Sequence, residues 1–127
     1  MKQTVYTANA PTPIGPYRQA VAIGAMVFCS GQIALDPATG KLAGDDVETQ
    51  AERALENLGA VLRAAGLSYE DVEKTTLFLV DMGDFAKVNA IYGKYLGRSS
   101  PARSTVAVAA LPIGAKVEIE AIAVRSA

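Results

Sequence analysis

The chain contains no histidine and only one cysteine, Cys29. Without histidine there is no Ser-His-Asp or Cys-His nucleophilic site and no His-ligated zinc. Any chemistry therefore falls to Glu, Asp, Arg, Lys, Tyr, Ser, Thr, Cys29 or the backbone. A single cysteine forms no intrachain disulfide, which suits a reducing compartment. An excess of one charge is also lacking. There are 12 Lys and Arg against 13 Asp and Glu, for a net charge of −1. Nucleic-acid surfaces normally leave a basic face, and none is expected here. No stretch approaches the ~20 apolar residues that span a bilayer. The opening MKQTVYTANAPTPIGPY lacks the apolar core of a signal peptide. These absences predict a soluble cytoplasmic protein without nucleic-acid or membrane partners.

What is present suits one compact unit. The chain has 127 residues, half of them apolar, enough for a core without disulfide or metal staples. No repeat or linker interrupts it, so a single domain over 1–127 is expected. Prolines and Gly15 make the opening a loop, with a short strand at 4–6. Apolar runs at 19–23 and 26–33 flank Gly24-Ala25 and read as a hairpin. Residues 36–40 form a turn.

The clearest helix spans 47–65. Val47, Ala51, Ala54, Leu55, Leu58, Val61, Leu62 and Ala65 repeat at helical spacing. Asp45 with Glu48 resembles a capping box, and Gly66 can stop the helix in the left-handed conformation. Residues 72–80 are strand-like. Asp84 is placed to cap a second helix, which buries Phe85, Val88, Ile91, Tyr92, Tyr95 and Leu96 and ends at Gly97. Two more strands follow at 103–109 and 116–125, joined through Leu111-Pro112-Ile113-Gly114. The plan is α+β: a mixed sheet with two helices on one face. The other face also carries apolar residues such as Ile122 and Val124, so self-association is the expected cover.

Few residues can carry chemistry. Arg103, in Pro101-Ala102-Arg103-Ser104, is either an exposed strand-start arginine or a carboxylate anchor whose paired donors match two oxygens. Glu118 and Glu120 share one strand face. A carboxylate among apolar residues is costly unless paired or used. One of the two is a candidate base, and periodicity does not choose between them. If Leu111 pairs with Lys116 in a hairpin, Glu120 lies opposite Ala107, an offset from Arg103 of roughly 13 Å. The two would then meet only through a bulge, side-chain reach or a neighbouring chain, and closure at a subunit boundary is the expectation. Cys29 reads as a buried inert thiol. Gly31 allows either a close backbone approach or a bulge. Tyr17 is a loop aromatic with a hydroxyl to offer, and Asn89 is a polar position on the second helix.

Four segments together resemble the RidA (YjgF) family over nearly the whole chain. They are Ala10-Pro-Thr-Pro-Ile-Gly-Pro-Tyr17, Ser30-Gly-Gln-Ile33, Val88-Asn-Ala-Ile-Tyr92, and Pro101-Ala-Arg-Ser104 with Leu111-Pro112 and Val117-Glu-Ile-Glu-Ala-Ile-Ala123. The resemblance implies a chorismate-mutase-like homotrimeric barrel with sites between subunits. It implies hydrolysis of 2-iminobutanoate and 2-iminopropanoate to keto acids and ammonia, with no cofactor. Arg103 would bind the substrate carboxylate, and Glu120 would position and activate water. The Thr105 carbonyl would contact the imine nitrogen, and Tyr17, Ser30, Gly31 and Asn89 would line the pocket. Departures from the family pattern are Thr105, often cysteine in relatives; Ser100, often aromatic; and Arg18, often small or neutral. Two other readings fit the same fold: a module that binds small carboxylic metabolites without turnover, and an RNA-acting or chaperone-like protein.

Overall fold

A computed structural model describes residues 1–126. Six strands form one sheet in the order β1-β2-β3-β6-β4-β5, and two helices cover one of its faces. The strands are β1 (Lys2–Val5), β2 (Ala20–Ile23), β3 (Met26–Gln32), β4 (Val72–Leu79), β5 (Ala102–Ala107) and β6 (Val117–Val124). The helices are α1 (Val47–Ala64) and α2 (Phe85–Leu96). The α+β plan holds, with a first strand slightly earlier than the 4–6 expected. The tight turn between β2 and β3 uses Gly24 at φ +59°, where a side chain would be strained.

Helix α1 lies over β3 and β6 and packs beside α2. Its stripe, with Leu58, Val61 and Leu62 fully buried, supplies the core. The cap is one residue later than the expected Asp45. Asp46 accepts from the Thr49 backbone N–H at 2.9 Å and from the Thr49 hydroxyl. The two aspartates are adjacent, and only Asp46 precedes the first helical residue. The far end closes as expected, with Gly66 at φ +78° and Leu67 N–H bonded to the Leu62 carbonyl at 2.8 Å, a Schellman arrangement. Asp84 stands at the N-cap of α2 but makes no side-chain cap bond. Asp81 instead closes the preceding 3-10 turn by accepting from Gly83 N–H.

The largest departure is the last connection. β5 and β6 do not form a hairpin. β5 runs parallel to β4, with Thr75 opposite Arg103, and β6 runs antiparallel on the other side of β4, with Thr76 opposite Glu120. The register drawn from Leu111 and Lys116 therefore does not exist. The physical reason lies in the strands. In β6, Val117, Ile119, Ala121 and Ala123 are all buried, a pattern suited to the middle of a sheet. β5 has no buried residue and sits at an edge. The chain crosses over α2 to place β5 and returns past Ile113, which is held at φ +48°.

The face away from the helices is uncovered in one chain. It displays Ile23, Met26, Phe28 and Val106, each at least 40% exposed, beside the half-buried Ile122 and Val124.

Candidate active site

Two separate groups of candidate side chains emerge. The first lines a cavity of about 380 Å³. Tyr17, Ser30, Gly31 and Glu118 stand in its wall, with Ile14, Ile33, Leu35 and Pro112 as apolar lining. A bulge between Cys29 and Gln32 shapes this wall, because β3 and β6 slip register there. The bulge contains Ser30 and Gly31, so two of the expected pocket residues owe their position to it. For Gly31 the bulge alternative holds. It lies in the bulge, and the Glu118 carboxylate occupies the space a Cβ would need, with Glu118 Cδ 2.8 Å from that point. Only glycine lets the carboxylate rest there.

Glu118 is half-buried. Burial, and then the neighbouring charge of Glu120, push its carboxyl above the usual 4.5. Such a group keeps proton affinity suited to taking and returning a proton. Ser30 Oγ donates to the Arg18 carbonyl at 2.6 Å. Its lone pairs therefore remain as acceptors. The loop bearing Tyr17 is tied down by Gln19, which is 2% exposed. Gln19 Oε1 accepts from Thr7 N–H at 2.7 Å, and its Nε2 donates toward the carbonyls of Thr7 and Pro11. Nothing in the sequence singled out Gln19, because a buried amide has no periodic signature.

Glu120 lies elsewhere. It is exposed and borders a smaller cavity of about 190 Å³ with Phe28, Lys74 and Thr76. The Cys29 thiol is buried and pushed up to about 12 by desolvation, an inert form.

The second group surrounds Arg103. Its Nη1 donates to Asn89 Oδ1 at 2.8 Å. Its guanidinium carbon lies 4.7 Å from the centre of the Tyr92 ring and 5.4 Å from that of Phe85. No carboxylate pairs with it among the described residues. The arginine is neither splayed into solvent nor neutralised; it is held by neutral groups. Thr105 follows two residues along β5 on the same face, in register with the buried Leu77.

The groups do not meet within one chain. Arg103 is in register with Thr75, which points toward the helices. Glu118 is in register with Phe78 and points to the open face. A strand alternates faces, so the sheet itself separates them. The structure thus brings Tyr17, Ser30, Gly31 and Glu118 together, and Arg103 with Asn89, and leaves Glu120 with neither.

Comparison with known proteins identifies the family. The family model for Endoribonuclease L-PSP matches residues 7–125. The chain is 54% identical to Protein DfrA of Myxococcus xanthus, covering 97% of this chain and 95% of that protein. It is 52% identical to the 2-iminobutanoate/2-iminopropanoate deaminase of Salmonella typhimurium, covering 98% and 99%. The crystal structure of Escherichia coli TdcF with bound serine superposes with a TM-score of 0.93 at 48% identity, covering 98% and 99%. With a family match across nearly its whole length and relatives at about half identity, the chain belongs to the Endoribonuclease L-PSP family, also called YjgF/RidA.

Proposed function

We propose that this protein is a hydrolytic deaminase of small 2-imino acids, converting 2-iminobutanoate and 2-iminopropanoate with water to the 2-keto acids and ammonia. The observation that carries the reading is the half-buried Glu118 carboxylate seated over Gly31 in a largely apolar cavity. The relative named for this reaction and the relative solved with bound serine, a carboxylate-bearing ligand of similar size, support it.

The roles follow from the chemistry. A protonated imine is already electrophilic, so no covalent nucleophile is needed. Arg103, cationic and unpaired, grips the substrate carboxylate with the donors that Asn89 leaves free. Glu118, rather than Glu120, accepts a proton as water oxygen adds to the C=N carbon. It returns that proton to nitrogen and then takes the proton of the new hydroxyl, so that ammonia leaves as the C–O bond becomes the keto group. Ser30 accepts from the imine N–H, and the Thr105 carbonyl offers a second acceptor. Tyr17 closes the wall, and Ile33 and Leu35 receive the substrate's alkyl end. Positioning and general-base terms supply the acceleration.

The two halves lie on opposite sheet faces, so the site closes between copies. A homotrimer in which the open face of one copy meets the β5 edge of the next would cover the exposed Phe28, Met26 and Val106 as well. The test is a coupled assay in which an amino-acid dehydratase releases 2-iminobutanoate and keto-acid formation is followed. Wild type is expected to accelerate it; Arg103→Ala and Glu118→Gln lose the acceleration, and Glu120→Gln keeps it. Full activity in Glu118→Gln with loss in Glu120→Gln would return the role to Glu120. No acceleration by wild type, with tight carboxylate binding, would make the protein a binding module.

A further inference from the structure

The environment of Arg103 holds more than one hydrogen bond. Phe85, Asn89 and Tyr92 are spaced i, i+4, i+7 and form one stripe on α2. They present ring, amide and ring to the guanidinium. Beneath the stripe, the Tyr92 hydroxyl and Thr75 Oγ1 share a hydrogen bond of 2.7 Å. Thr75 is fully buried, Tyr92 is 7% exposed, and Thr75 is the β4 residue directly opposite Arg103.

Packing alone does not call for these two hydroxyls. Phenylalanine and valine would fill the same volumes and would spare a desolvation penalty. What the hydroxyl pair adds is a fixed angle for the Tyr92 ring, tied to the strand beside Arg103. A guanidinium stacked on a fixed ring loses rotamer freedom before ligand arrives. This matters because arginine carries large side-chain entropy and β5 is an open edge. None of the contacts is anionic, so the cation is oriented and left uncompensated.

We propose that Tyr92, tethered by Thr75, is a positioning residue for carboxylate recognition, setting the plane in which Arg103 meets the substrate. The inference rests on the reading of Arg103 as carboxylate anchor. It concerns the positioning of that anchor and leaves the chemistry of Glu118 untouched.

The readout is calorimetric binding of 2-oxobutanoate and of its neutral amide, 2-oxobutanamide, to the intact assembly. Wild type is expected to prefer the acid. Tyr92→Leu removes the ring face and should cut that preference by about tenfold, with amide binding unchanged. Tyr92→Phe keeps the ring and should restore most of it, leaving a deficit of about two- to threefold. Thr75→Val should match Tyr92→Phe. Phe85→Leu tests the second ring on a half-buried side chain, should fold even where Tyr92→Leu does not, and should weaken the acid selectively. Equal loss of acid and amide in these variants would show a packing role and overturn the proposal. An unchanged preference in Tyr92→Leu or Phe85→Leu would overturn it also. Arg103→Ala separates the two layers. If it keeps the acid preference, the anchor reading fails; if it loses the preference while the Tyr92 and Phe85 variants keep it, only the positioning inference fails.

Discussion

Replacing Gln19 by leucine isolates what a single buried amide does for the cavity. Leucine has a similar volume, so little cavity opens. The loss is polar. Thr7 N–H loses its acceptor, and the carbonyls of Thr7, Ala10 and Pro11 lose the Nε2 donor. Each buried group left unsatisfied costs about 1–3 kcal/mol. If the segment held rigid, the four orphans would cost roughly 4–12 kcal/mol by that rule. Thr7 and Pro11 are only partly buried, and the loop can turn them to water. The smaller outcome wins, a net loss of about 2–3 kcal/mol. For a chain of this length that lowers Tm by roughly 10 °C. Relief comes at the cavity's expense, because the freed segment carries Pro11, Ile14 and Tyr17. Calorimetry should therefore show the drop, amide exchange should speed up through the Thr7–Tyr17 segment, and 2-iminobutanoate turnover should fall through a raised KM. A Gln19→Leu protein with wild-type Tm and unchanged exchange there would refute the claim that this amide organises the cavity loop.

Other outcomes follow from the same geometry. Gly31→Ala places a methyl where the Glu118 carboxylate sits. A flexible side chain yields easily, so stability should change by less than about 1 kcal/mol, while deaminase turnover drops toward that of Glu118→Gln; retained turnover would show that the seat over Gly31 is irrelevant. Glu118 itself has a folded pKa above its ordinary 4.5. The folded state then binds its proton more tightly than the unfolded state. Stability falls as pH rises from 4.5 through the raised value. Glu118→Gln should lose that slope and be the more stable protein at neutral pH, as read by urea unfolding across a pH series; an unchanged slope would contradict the assignment. Gly59→Ala gains about 1 kcal/mol of helix propensity. Its new methyl meets the Tyr69 hydroxyl, which is fixed by donating to the Leu55 carbonyl at 2.8 Å. The clash should win by about 1–3 kcal/mol, and adding Tyr69→Phe, which frees the ring from the Leu55 carbonyl but leaves Cζ 2.6 Å from the new methyl, should recover part of it in thermal melts. No recovery would point to another cause.

The parts readable in advance were those governed by local rules. The α1 stripe and the Gly66 stop needed only helical period and left-handed geometry. The Gly24 turn needed only two flanking apolar runs. Strand partnership is non-local, and there the reading failed. Leu111-Pro112-Ile113-Gly114 announces a change of direction without saying which strand receives the chain. The β6 alternation, apolar on one face and mixed on the other, suited a middle strand better than a hairpin arm. That misplacement propagated to the site. Choosing between Glu118 and Glu120 requires knowing that β3 and its bulge lie beside β6. In the same way, Phe85 and Tyr92 read as buried helix positions, and only the β4–β5 pairing shows that they flank Arg103.

If the site closes between copies as proposed, one layer of backbone divides the anchor from the base, and a lesion in either would be a lesion in half of a shared unit. Two inactive alleles, one lacking the guanidinium and one lacking the carboxylate, would complement each other when co-expressed. Some boundaries in the mixed oligomers would inherit both intact halves. Two alleles damaged on the same half would not. Such a pattern of interallelic rescue would map, by genetics alone, which residues face a neighbour and which face home.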